Sequence, residues 1–135
     1  MSKTITGSCL CGEVQFTLQE KFSAFYQCHC KQCQQLSGTA FASNLFTKPD
    51  NITWTKGEDS VLRFEHETRS FSRAFCKHCG SALPVITKSK RALLVPAGSL
   101  NEPVDMKISA NIFTDEEAHW LAEGREAKGF TGFPE

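Results

Sequence analysis

The sequence predicts an all-β, mainly β, fold, and three features carry that expectation. Apolar residues alternate with polar ones in about nine short, evenly spaced runs. Helical periodicity is nearly absent. The seven cysteines are clustered in three tight groups close to the ends of those runs. The 135 residues suit one domain spanning 1–135, long enough for a hydrophobic core of modest size.

The elements follow in order. EVQFTL (13–18) puts Val14, Phe16 and Leu18 on one face of a half-buried strand. FSAFYQ (22–27) is a second strand and leads into CHCKQC (28–33). KQCQQLS (31–37) reads as a short helical turn ended by Gly38. TAFASNLF (39–46) and NITWT (51–55) are strands, and a KGED turn follows the second. VLRFE (61–65) and RSFSRAF (69–75) form a hairpin pair running into CKHCG. SALPVIT (81–87), RALLVPAG (91–98) and MKISANIF (106–113) are three more strands. TDEEAHWLAEG (114–124) is the helical candidate of the tail, with Asp115 and two glutamates near its start. Residues 127–135 read as irregular. Trp54, Trp120 and most of the 11 phenylalanines are assigned to the core, with Phe41 either core or lining a site mouth.

Composition excludes several roles. Lys plus Arg equals Asp plus Glu, 15 each, which leaves no excess of positive charge for a phosphate backbone. KSKR (88–91) is too short for an anionic membrane surface. No run approaches the ~20 apolar residues of a membrane span. MSKTITGS lacks an apolar signal region, so the expected compartment is the cytoplasm.

The cytosol keeps thiols reduced, so clustered cysteines there point to metal ligation or thiol chemistry. The spacings are C-x-C at Cys9 and Cys11, C-x-C-x-x-C at Cys28, Cys30 and Cys33, and C-x-x-C at Cys76 and Cys79. Such spacings let two thiolates face one ion from a tight turn. Gly12 and Gly80 directly follow the outer two groups, where such turns need a positive φ. Structural zinc takes four ligands, and catalytic zinc takes three with one position open. Seven cysteines divide accordingly: Cys9, Cys11, Cys76 and Cys79 close one site, and Cys28, Cys30 and Cys33 make a second site one ligand short. Two zinc ions per chain follow, one structural and one with an open position. With seven thiolates and two Zn²⁺ the formal charge changes by about −3. A Cys30–Cys33 redox pair is the competing reading, but a thioredoxin-like site belongs at a helix start in a βαβ pattern, which the sequence lacks.

The segments GSCLCGEVQF, CHCKQCQQLSG and FSRAFCKHCGSAL, with AGSL (97–100) and NIFTDEEAHW behind them, resemble the glutathione-dependent formaldehyde-activating family, also called S-(hydroxymethyl)glutathione synthase-like. The resemblance implies an Mss4-like β-tent with zinc-clamped turns. It implies the same four-plus-three division of cysteines. It also implies a carbon–sulfur lyase or synthase that joins glutathione to formaldehyde, or acts on a related thiol–aldehyde adduct, with Cys28, Cys30 and Cys33 at the catalytic metal. In that family a histidine often precedes the late Ile-Phe, and here the position is Asn111.

Anionic glutathione needs local cations, and Lys31, Arg73 and Lys77 are the nearest to the cysteine turns in sequence. His29 and His78, flanked by ligands, point away from the metal toward solvent or second-layer partners, and His29 is the better candidate for a proton shuttle. His66 and His119 read as surface residues. A non-catalytic zinc-stabilised binding module of the same fold is the alternative of another class, and a metal-buffering or redox protein is a third. A free edge strand can pair across a two-fold axis, so a homo-oligomer is open.

Overall fold

The computed structural model describes residues 3–134. The chain runs β1 (Thr4–Ser8), β2 (Gln15–Gln19), β3 (Ala24–Cys28), α1 (Lys31–Ser37), β4 (Ala42–Thr47), β5 (Thr53–Lys56), β6 (Val61–Glu65), β7 (Ser72–Cys76), β8 (Ala82–Leu83), β9 (Val85–Ile86), β10 (Leu93–Pro96), β11 (Ala110–Ile112) and α2 (Leu121–Glu126), with 3-10 turns at Glu58–Ser60, Ala97–Ser99 and Thr114–Glu116. These strands form three small sheets of order β1-β2-β5, β11-β3-β4-β10-β9 and β6-β7-β8. The mainly β expectation holds.

The alternating runs place their apolar faces inward. Ile5, Val14, Phe16, Leu18, Leu45, Ala74, Leu83, Leu93 and Val95 form one buried cluster drawn from all three sheets. The sulfur-bearing residues Cys9 and Cys76 belong to it. Phe16 meets Trp54 edge to face, with ring centroids 5.6 Å apart.

Four local differences from the sequence reading have physical causes. TITGS forms β1, which pairs with β2 in antiparallel register from Thr4–Gln19 to Ser8–Gln15; it carries one large apolar residue, Ile5, too few to show alternation. SALPVIT is two strands rather than one. Buried Pro84 cannot continue a ladder, so the chain leaves β8, paired with β7, and enters β9, paired with β10, in another sheet.

MKISANIF is a strand only over Ala110–Ile112, which runs parallel to β3. Just before it the Ser109 hydroxyl accepts from the Phe25 N–H, taking the place of a ladder carbonyl, and Ile108 lies exposed. The 114–124 helix breaks into a 3-10 turn entered through left-handed Phe113 and a separate short helix, α2. Trp120, at the start of α2, is 43% exposed and not a core residue.

Candidate metal centre and adjoining cleft

All seven cysteines are free thiols, and they gather as four and three. The sulfurs of Cys9, Cys11, Cys76 and Cys79 all lie within 4.8 Å of one another, and so do those of Cys28, Cys30 and Cys33.

The four-thiol group joins the turn after β1 to the turn after β7. Gly12 (φ 81°) and Gly80 (φ 75°) take the left-handed conformation that folds each turn back on its cysteines. The Leu10 N–H donates to Ser81 Oγ at 3.0 Å, tying one turn to the other. Cys9 and Cys11 sulfurs are 3.6 Å apart, and Cys11 and Cys76 sulfurs 3.8 Å. A tetrahedral Zn–S₄ site with bonds of about 2.3 Å has edges of ~3.8 Å, so the donor set fits zinc. Backbone N–H groups of Val14 and His78 point at Cys9 Sγ (3.3 Å) and Cys76 Sγ (3.4 Å), as thiolate acceptors require.

Charge is divided unevenly among these sulfurs. The Ser81 hydroxyl, 3.2 Å away, with the N–H groups of Ser81 and Cys11, holds the Cys79 thiol down at about 5. The Glu13 N–H lowers Cys11, but desolvation and the sulfurs of Cys9, Cys79 and Cys76 outweigh it and leave that thiol at about 12. An ion held by the group would have to displace a proton from Cys11 at neutral pH.

The three-thiol group sits where β3 passes into α1. Cys28 ends β3, Cys30 caps α1, and Cys33 lies in its first turn with its N–H 3.4 Å from Cys30 Sγ. Gly38 ends the helix in a left-handed cap, as its position predicts. Cys30 and Cys33 sulfurs are 3.3 Å apart. Burial pushes the Cys33 thiol far up. Burial opposes ionisation of Cys30 as well, but the Cys33 N–H and the Cys33 and Cys28 thiols outweigh it and lower Cys30. The three could hold one ion, with Ala42, Phe71 and Ile112 packed around them.

This group opens onto a cleft of about 870 Å³, lined by all three cysteines. Lys31, Arg69 and Lys88 line it as well, against one acid, Glu116. Of the cations nominated from sequence proximity, Lys31 is there. Arg73 is not: its guanidinium lies over the Phe75 ring, 5.5 Å from the centroid, and donates to the Gly80 carbonyl. Lys77 also lines no part of the cleft. Arg69 comes from the β6–β7 loop and donates to Gln32 Oε1 on α1 at 2.6 Å. Lys88 Nζ donates to the carbonyls of His66 (2.7 Å) and Arg69 (3.1 Å), pinning the same loop. His66 is half-buried and accepts the N–H groups of Thr68 and Arg69 through Nδ1, so it shapes the loop rather than standing free on the surface.

His29 is buried, 1% exposed, and does not face solvent. Its Nε2 is 3.0 Å from Asn111 Oδ1, and its ring lies 5.1 Å from that of Phe41. Its Nδ1 has no hydrogen-bond partner among the described residues. Arg69, Lys88 and Glu116 carry no local signal in the sequence, because only the tertiary path of two loops and the tail brings them to CHCKQC.

A mainly β frame carries two thiol clusters that could each hold a metal ion, one of them opening onto a cationic cleft. The chain belongs to the glutathione-dependent formaldehyde-activating enzyme family, whose model matches residues 4–116. No curated protein matches the sequence. Among solved structures, a Rhodobacter sphaeroides protein is similar in fold: TM-score 0.62 at 17% identity, over 78% of this chain and 98% of that one.

Proposed function

We propose that the whole chain, 1–135, acts in the cytoplasm as a zinc-dependent carbon–sulfur lyase or synthase, joining glutathione to formaldehyde or a closely related aldehyde. Cys9, Cys11, Cys76 and Cys79 would hold a structural zinc, and Cys28, Cys30 and Cys33 the catalytic one. One observation carries this reading: a three-thiol cluster, one ligand short of a closed tetrahedron, forms part of the wall of a cleft with three cations.

Zinc held there by Cys28, Cys30 and Cys33 would supply a soft Lewis-acid position that favours the thiolate form of an incoming thiol. The protein's own residues do the rest. Lys31, Arg69 and Lys88 attract the carboxylates of an anionic thiol, and Glu116 faces its ammonium group. Phe71 and Ile112, packed on the sulfurs, keep water from the reacting centre and strengthen those attractions. The thiolate sulfur then adds to the aldehyde carbon. The C–S bond forms, and the carbonyl oxygen takes a proton to become a hydroxyl.

The adduct also forms spontaneously, so the test is the exchange rate between glutathione plus formaldehyde and the adduct, read by NMR at equilibrium. Zinc-loaded protein should accelerate it and Cys28→Ser should abolish the gain. No acceleration with two zinc ions bound per chain sinks the enzyme reading and leaves the zinc-stabilised binding module.

A further inference from the structure

Formaldehyde leaves a feature of this site unused. Behind Cys33 lies a second cavity of about 240 Å³, between α1, β4 and the β7–β8 pair. Leu36, Phe41, Phe71, Leu83, Leu94 and Pro96 give it an apolar wall. Its one charged neighbour, Arg73, is already engaged with the Phe75 ring and the Gly80 carbonyl. Cys33, Phe71, Asn44 and Leu94 line both this cavity and the cationic cleft, so the two spaces adjoin at the thiol cluster. At about 30 Å³ per water-sized volume the cavity has room for ~8 such volumes. The carbon and oxygen of formaldehyde do not fill it, and although Ser37, Ser43, Asn44 and Ser72 also line it, most of its wall is hydrocarbon that suits a carbon chain better than a hydroxyl.

We propose that this cavity houses the apolar carbon chain of an S-substituent, so that the centre handles adducts of an anionic thiol with aldehydes larger than formaldehyde. The inference rests on the thiol–aldehyde reading of the same site. In the adduct, thiol RSH and aldehyde R′CHO give RS–CH(OH)R′. The C–S bond forms, the carbonyl π bond opens, and the thiol proton ends on oxygen, with no oxidant or reductant required. The charged part of RS lies along Lys31, Arg69 and Lys88, the sulfur sits at the cluster, and R′ turns inward past Phe71.

S-methyl-, S-butyl- and S-hexylglutathione probe this without turnover, because a thioether cannot exchange. Isothermal titration of the zinc-loaded full chain should show affinity rising along the series, by up to about fourfold for each methylene taken up. Ala82→Leu, which adds bulk at the cavity wall, should flatten the gradient. Leu36→Asn, which makes the wall polar from α1, should flatten it independently if Ala82→Leu does not fold. Equal affinity along the series, or no binding by any member while the glutathione–formaldehyde exchange is accelerated, overturns the cavity proposal and leaves the enzyme reading standing. A steep gradient without any acceleration supports the cavity and removes the enzyme reading.

Discussion

Asn111, on parallel strand β11, places its side-chain oxygen 3.0 Å from Nε2 of the buried His29. The His29 N–H also donates to the Ile112 carbonyl at 3.0 Å, so side chain and backbone together hold β11 against the start of the CHCKQC turn. Asn111 itself is exposed on β11, and its amide covers the ring of the buried His29 from the surface side.

Asn111→Leu should leave His29 buried without a partner at either ring nitrogen. A stability loss of about 1–3 kcal/mol is expected from the urea midpoint. The double change His29→Phe with Asn111→Leu should recover much of that loss, because the buried ring then has no polar atom left without a partner. A double variant as unstable as the sum of the singles would assign the cost to packing instead.

Metal content separates the two thiol clusters. Cys28→Ser should remove one zinc per chain and leave the melting temperature nearly unchanged. Cys76→Ser should remove the other and collapse the fold, because Cys76 is fully buried in the main core and structural zinc carries much of the folding energy of small domains. Affinity at the four-thiol cluster should rise with pH, since the Cys11 proton, held at about 12, must leave. It should fall further as the pH drops through about 5, where Cys79 gains its proton. Zinc titrations from pH 5 to 8 check the slope.

Glu102 gives a pH-dependent term on the β1 side. Its carboxylate accepts the Thr6 hydroxyl and the Thr6 N–H, both at 2.6 Å, and these bonds hold its pKa below the ordinary value of 4.5. A depressed carboxylate stabilises the fold fully above its unfolded pKa, and that contribution is lost as pH falls through the lower folded value. The difference in urea midpoint between the wild type and Glu102→Gln should therefore be largest at neutral pH and shrink below about 4.5. A constant difference from pH 3 to 7 would refute it.

Gly7 has no room for a side chain. A Cβ there would overlap Cζ of Phe16, whose ring is packed between Gly7 and the core. Gly7→Ala should cost about 1–3 kcal/mol by forcing the ring off its place, seen as a lower thermal midpoint with a disturbed Trp54 signal, since Trp54 touches Phe16.

Much of this architecture is legible in the sequence. The alternation in EVQFTL and VLRFE identifies strands whose side chains only need one apolar face, and cysteine spacing separates four thiols from three because ligand turns are local. The helix at 31–37 is readable for the same reason, since Gly38 ends it from within. What escapes depends on distant partners. β1 exists because β2 and Leu100 offer it hydrogen bonds. The cleft cations differ from those nearest in sequence because Arg73 is spent on Phe75, while Arg69 is carried over α1 by a loop that Lys88 anchors. Burial of His29 follows from β11 arriving parallel to β3, and parallel pairing leaves no trace in a run of three residues.

Strand β7 has Phe71, a wall of the three-thiol cluster, just before its first residue, and Cys76, one thiol of the other cluster, as its last. Five residues at ~3.3 Å each make it a strut of about 17 Å between the two centres. A disturbance of the four-thiol turn would therefore reach the other cluster along β7 through Phe71, while Cys28, Cys30 and Cys33 themselves stay seated on β3 and α1. A disturbance at the three-thiol end would travel the other way, toward Cys76 in the main core.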